Sequence, residues 1–321
     1  MSFFEERSLD TPHGGISYKL FLPKRPRYRP PLLIMLHGCT QNPDDFALGT
    51  RMNELAGRRG WIVAYPRQEA SQNSNLCWNW FRPANQTRSG EAARITALAE
   101  HLARTLGADR RRVFVAGLSA GAAMTAILAR AYPERFAAVG ICAGVPVGAA
   151  SSLMQALGAM QRGAGGARGP GPTPTIIFHG TADTTVSDRN GDRIALASDQ
   201  LSWPRLRQRM LTRRGLSCRR IRVWRGKGHA GTEYWKIGEM GHAWPGGDPR
   251  GSYSDPRGPD ASRLMLAFFT RQTRFARARS LATWFRNGAV AAAGKLIPAS
   301  DAIRLSLRSV PRSVTGFFRA R

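Results

Sequence analysis

The sequence predicts an α/β protein: a mostly parallel central sheet with helices on both faces, followed by a basic C-terminal extension. Three observations carry this. Short apolar runs of strand length recur through the first 270 residues, rich in β-branched or aromatic side chains. Segments with apolar residues at helical spacing lie between them. Over residues 271–321 the strand alternation stops, and eleven Lys and Arg stand against one acid, Asp301.

In chain order, "ISYKLFL" (16–22) partly alternates and reads as an edge strand. "LLIML" (32–36) and "WIVAY" (61–65) are unbroken apolar runs, as strands covered on both faces would be. "SGEAARITALAEHLARTLG" (89–107) has a polar start, helical spacing and Gly107 as a stop. "VFVAGL" (113–118) is the next strand, and "AGAAMTAILARAY" (120–132) is helical up to Pro133. "AAVGICA" (137–143), "TIIF" (175–178) and "IRVW" (221–224) are further strands. "DASRLMLAFFTRQ" (260–272) is a helix with an Asp at its cap. The Gly/Pro-rich stretch 161–174 reads as a loop, and no internal repeat is present. Strands alternating with helices imply parallel pairing. Right-handed crossovers then gather the strand C-terminal ends along one edge, where ligands bind in open sheets.

A chain of 321 residues has room for one large domain and an appendage. We read residues 1–270 as a catalytic domain and 271–321 as an extension, helical or disordered. Against 21 acids there are 48 Lys and Arg, a formal charge of +27. That charge reads either as arginine-rich composition with most side chains simply solvated or as attraction to anionic surfaces, and says nothing of the fold. Four cysteines with no CxxC pair exclude a disulfide scaffold and make a zinc site or thioredoxin-like chemistry a poor fit. No apolar run reaches the roughly 18 residues of a membrane-spanning helix. The opening "MSFFEERSLDTPHGG" carries early acids and does not read as a secretory signal, which favours the cytosol.

"GLSAG" (117–121) fits G-x-S-x-G between a predicted strand and a predicted helix. Glycine at 117 and 121 lets so sharp a turn form without side-chain collisions, and Ser119 is lifted into the cleft. A serine hydroxyl needs a base, and the base needs an orienting acid. In α/β-hydrolases the order is Ser, acid, His. Of the histidines that follow, His179 lies at a strand end before the best acid and shapes that loop. His229 sits in a hairpin-like turn. His242, in "GEMGHAWPGG", fits both order and position and is assigned as the base. Asp183, in "HGTADTTV", is the acid, whereas Asp188 and Asp192 lie further along on the surface. The oxyanion donors are the backbone N–H of Ala120, after the nucleophile, and that of Cys39, where Gly38 allows close approach. His37 pins that loop. The chemistry implies no metal and no organic cofactor.

Six blocks in order resemble the polyhydroxybutyrate (PHB) depolymerase family of esterases: "HGCTQ" (37–41), "CWNWF" (77–81), "GLSAGAAM" (117–124), "FHGTADTTV" (178–186), "GHAWPGG" (241–247) and "GSYSDPRGPDAS" (251–262). The likeness spans residues 10–270. It implies the α/β-hydrolase fold and a triad on Ser119, Asp183 and His242, with oxyanion donors on Cys39 and Ala120. It implies action on poly- or oligo-3-hydroxybutyrate-type esters, with feruloyl or acetylxylan esters as the alternative. It also suggests a Cys39–Cys77 disulfide and export from the cell. In this light Trp78, Trp80, Phe81 and Trp244 are candidate walls of an apolar substrate cleft; the alternative for the 78–81 rings is that they simply pack their loop onto the body. In 271–321, "RFARARSLATWFRNG" sets Leu281, Trp284 and Phe285 at helical spacing among arginines, a pattern suited to an anionic surface. No recognised nucleic-acid module accompanies the charge. The contrasting expectation is an inactive hydrolase scaffold that binds a surface or a nucleic acid through this tail.

Overall fold

The computed structural model describes residues 3–165, 168–196, 205–224 and 230–273. The expectations for the extension beyond residue 273, its surface contact included, and for His229 lie outside the described residues.

Ten strands form one sheet. They are β1 (Phe3–Thr11), β2 (Gly14–Leu22), β3 (Leu32–Leu36), β4 (Ile62–Pro66), β5 (Val113–Leu118), β6 (Ala138–Cys142), β7 (Thr175–Gly180), β8 (Arg205–Arg213), β9 (Leu216–Trp224) and β10 (Ala230–Ile237). Their spatial order is β1-β2-β4-β3-β5-β6-β7-β10-β9-β8. The centre, from β4 to β10, is parallel. Both flanks are antiparallel.

The flanks correct two expectations. The strand at 16–22 is not the edge, because β1 pairs outside it. The run at 221–224 is the end of a nine-residue strand that is antiparallel to both neighbours. Outer strands need bury little, so β1 (FFEERSLDT) and β8 (RLRQRMLTR) carry charges where an inner strand carries Val or Ile.

Helices cover both faces. One face holds α3 (Gly90–Thr105), α4 (Ala120–Ala131), α5 (Leu153–Arg162) and α6 (Arg189–Leu196). The other holds α1 (Pro43–Thr50), α2 (Met52–Gly57) and α7, residues 261–273. Strand β3 shows why its sequence is apolar throughout. Leu32, Ile34 and Leu36 enter the first core, while Leu33 and Met35 enter the second. Each such side chain contributes about 2 kcal/mol of burial. Two cores back to back hold the central strands rigid, so the loops at their C-terminal ends have a fixed base.

Candidate active site

Four parallel strands each deliver one predicted group to that rim. Ser119 follows β5 directly. Cys39 comes shortly after β3, Asp183 after β7 and His242 after β10.

Ser119 has φ 55° and ψ −119°, a left-handed turn that a non-glycine residue rarely takes. Such a conformation costs of order 1–3 kcal/mol. It is held by the Ser119 N–H donating to the Cys142 carbonyl (3.0 Å) and by the Ala123 N–H donating to the Ser119 carbonyl (3.0 Å). The flanking glycines are needed for space. A Cβ on Gly117 would lie 2.5 Å from the Gly121 backbone, and one on Gly121 would lie 2.2 Å from the Leu36 carbonyl oxygen. Helix α4 begins at Ala120, so its positive end points at the serine.

Asp183 and His242, 59 residues apart, meet directly: His242 Nδ1–H donates to Asp183 Oδ2 at 2.7 Å. The other carboxylate oxygen accepts the N–H groups of Thr185 (2.9 Å) and Val186 (2.8 Å). Burial pushes the Asp183 carboxyl up, but hydrogen bonds from His179 and His242 and from the Val186 N–H outweigh it. The group is held well below the usual carboxylate range. The His242 loop is tied to the Asp183 loop by Thr181 N–H to Ile237 O (2.8 Å) and Ala182 N–H to Met240 O (3.0 Å). It is tied to the serine through Cys142, whose carbonyl accepts from Ser119 and whose thiol donates to Ala243 O at 3.5 Å. With Nδ1 committed to Asp183, Nε2 is the His242 nitrogen left for proton transfer.

At the third corner, a Cβ on Gly38 would lie 3.5 Å from the Ser119 Cβ, so the Cys39 loop stands against the Ser119 turn. Among the described residues neither the Cys39 N–H nor the Ala120 N–H has a hydrogen-bond partner. Two unpartnered donors beside one hydroxyl are what a developing oxyanion requires. The loop is clamped by a Cys39–Cys77 disulfide, the pairing that the resemblance implied. It is held further by Gln41, whose Oε1 accepts the Gly38 N–H (2.9 Å).

His37 pins the loop as expected. Its Nε2 accepts the Gln68 N–H (3.2 Å), which leaves the proton on Nδ1 to donate to Gly38 O (2.8 Å). Burial pushes this imidazole down to about 4 from 6.5. The unfolded chain therefore binds the proton first as pH falls. His37's contribution is fully present above pH ~6.5 and is lost toward pH ~4, a swing of about 3 kcal/mol. We expect the gap in unfolding free energy between wild type and His37→Asn to narrow by about that amount from pH 7 to 4 in urea titrations. A gap that stays constant would contradict a buried, neutral imidazole.

The expected cleft walls need correction. Trp244 is 1% exposed, stands edge-on to Phe46 and donates its Nε1–H to Ser262 Oγ at 3.0 Å. Trp78, 2% exposed, packs beside His37, and Trp80 is buried as well. These indoles support the loops from beneath, because each has apolar core to fill and presents almost no face to solvent. Of the four rings only Phe81 is half-buried. His179 does shape the acid loop: its Nε2–H donates to Val186 O (2.8 Å) and lies 3.4 Å from Asp183 Oδ2.

Three parts of the site escaped sequence reasoning. Glu91, buried at the start of α3, accepts from Asn79 N–H (2.8 Å), Asn79 Nδ2 (2.7 Å) and Gln68 Nε2 (2.8 Å), which anchors the 77–81 loop. Asp45 accepts the Ser252 N–H (2.8 Å) and hydroxyl, which fastens the 251–255 loop to α1. Tyr253 then stands beside His242. For the 251–255 loop the available signal was in "HGCTQ" and "GSYSDP", where Gln41, Ser252 and Tyr253 had no assigned task; nothing in the sequence singled out Glu91.

The fold is that of the α/β-hydrolases. The acetyl xylan esterase from Aspergillus awamori superposes with a TM-score of 0.59 at 22% identity, over 75% of this chain and 94% of that one. Within this class, residues 16–207 match the family model described as esterase PHB depolymerase, and the chain belongs to that family. It is 38% identical over 175 residues to poly(3-hydroxyalkanoate) depolymerase C of Paucimonas lemoignei, covering 50% of this chain and 42% of that protein. It is 32% identical over 200 residues to the probable acetylxylan esterase A of Aspergillus fumigatus, covering 56% and 53%. The chain thus spans about half the length of these relatives.

Proposed function

We propose that the chain is a serine carboxylic-ester hydrolase acting on poly- or oligo-3-hydroxybutyrate-type esters. The observation that carries this reading is the Asp183–His242 hydrogen bond, formed at the rim where Ser119 stands on its strained turn. Ser119 Oγ attacks the ester carbonyl carbon while His242 Nε2 takes the hydroxyl proton. Asp183 holds the imidazole's tautomer and stabilises the imidazolium. The N–H groups of Cys39 and Ala120 hold the carbonyl oxygen as it gains charge, each worth about 3 kcal/mol. The C–O bond to the alcohol breaks, and the alkoxide leaves with the proton from His242. Water, activated by the same imidazole, then releases the acid and restores the serine.

Membership of the family and the likeness to a poly(3-hydroxyalkanoate) depolymerase support the hydroxybutyrate class. An acetylxylan-type esterase is the second reading, favoured by the likeness to the Aspergillus protein. A panel of hydroxybutyrate oligomers, acetylated xylo-oligosaccharides and feruloyl esters decides between them. We expect the highest kcat/KM on the oligomers. A higher value on acetylated sugars would move the assignment, and no turnover on any ester would favour an inactive binding scaffold. The disulfide supports an oxidising compartment outside the cytosol. The charge of residues 271–321 supports attraction to an anionic surface.

A further inference from the structure

Tyr253 is a bulky residue with φ 50°, a left-handed conformation that such side chains normally avoid. Its backbone is held from both sides. The Trp244 N–H donates to the Tyr253 carbonyl (2.7 Å), and Ser252 is fixed by Asp45 and by Gln41 Nε2 (3.0 Å). Beyond it, β12 (Ser254–Asp255) pairs with β11 (Trp244–Pro245). Strain retained by so many contacts beside a reactive group points to a task for the side chain.

The ring is 44% exposed, the most open aromatic surface at the rim among the described residues. It stands edge-to-face with the His242 imidazole, centroids 6.1 Å apart. Its hydroxyl lies 3.3 Å from Thr40 Oγ1. Thr40 spends its own proton on the Cys39 carbonyl (2.6 Å), so Tyr253 is the donor in that pair and its oxygen keeps acceptor capacity.

Chemistry decides which part of an ester such a ring meets. His242 must hand its proton to the leaving oxygen, so that oxygen sits within hydrogen-bond reach of Nε2. The first atoms of the alcohol therefore pass the surface bordering the imidazole, and Tyr253 is that surface. We propose that Tyr253 determines specificity for the leaving alcohol, its ring packing the first carbons and its hydroxyl bonding a polar group further along. The inference rests on the ester-hydrolase reading above.

The alcohol has departed once the acyl-enzyme forms, which gives a test that a merely structural role would not pass. Tyr253→Gly removes the ring and accepts the positive φ, while Tyr253→Phe removes only the hydroxyl. Two ester series are measured by rapid quench: one acyl group with short or extended hydroxyester alcohols, and one alcohol with varied acyl groups. We expect Tyr253→Gly to reduce the preference for extended over short alcohols in the acylation rate by about tenfold or more. We expect the acyl-series ratios and the deacylation rate constant to stay within about twofold of wild type. Tyr253→Phe is expected to keep the preference for longer carbon chains and lose that for a polar group on the alcohol. Equal slowing of acylation and deacylation, a changed acyl preference, or an unchanged alcohol preference in both variants would overturn the inference while leaving the ester-hydrolase reading intact. A wild type inactive on every ester would overturn both.

Discussion

Replacing Ser119 with alanine is expected to lower ester turnover by four to six orders of magnitude, the typical cost of deleting the nucleophile of such a triad. The Asp183–His242 pair stays in place at 2.7 Å, but the imidazole has no hydroxyl to deprotonate. The Cys39 and Ala120 N–H groups remain and sustain a residual rate above that in water. Folding should scarcely change, because among the described residues the Ser119 hydroxyl makes no hydrogen bond and alanine meets the same φ of 55°. A variant with a wild-type melting curve and no turnover separates chemistry from stability. A variant that retains more than a few per cent of activity would remove Ser119 from the mechanism.

The second large effect falls on the fold itself. Gly121 lies in the first turn of α4, where alanine is the better helix former by about 1 kcal/mol. Helix propensity alone thus predicts that Gly121→Ala stabilises. Close packing predicts the reverse. The new Cβ would sit 2.2 Å from the Leu36 carbonyl oxygen and 2.5 Å from that of His37. Both are backbone atoms, at the end of the central strand β3 and the start of the Cys39 loop, so relief requires moving the sheet or the helix. We expect a loss of about 3 kcal/mol or more, a large share of the 5–15 kcal/mol that holds a typical domain. Urea unfolding measures it. A stability equal to or above wild type would mean that the strand and helix do not approach as closely as described.

Strands β3 to β7 were legible because burial on both faces leaves no room for polar residues, as in "LLIML" and "VFVAGL"; β10 (AGTEYWKI), which leads to His242, was not, because Thr232, Glu233 and Lys236 break its apolar run. The elbow was legible for a related reason: a turn this tight tolerates only glycine at 117 and 121. The order Ser, acid, His expected of a hydrolase triad then selected Asp183 and His242, and the structure places a hydrogen bond between these two side chains. The outer strands were hidden because their side chains answer to solvent, and the charges of β1 and β8 look like those of loops. Composition also cannot say which way a ring points. Trp244 seemed a cleft wall from its place beside His242, yet it turns inward to Ser262, while Tyr253 turns out beside the imidazole. The networks of Glu91 and Asp45 join segments far apart in the chain, and only the fold brings them together.

The central claim is that Ser119 becomes acylated during turnover, with His242 and Asp183 moving and stabilising the proton. The direct measurement is acid quench within the first turnover of an activated ester, followed by peptide mass spectrometry of the trapped enzyme. The account predicts one acyl group per chain, on the peptide that holds Ser119, appearing and decaying at rates consistent with turnover. Undiminished turnover with no acyl group on that peptide, or with the group on another residue, would contradict it.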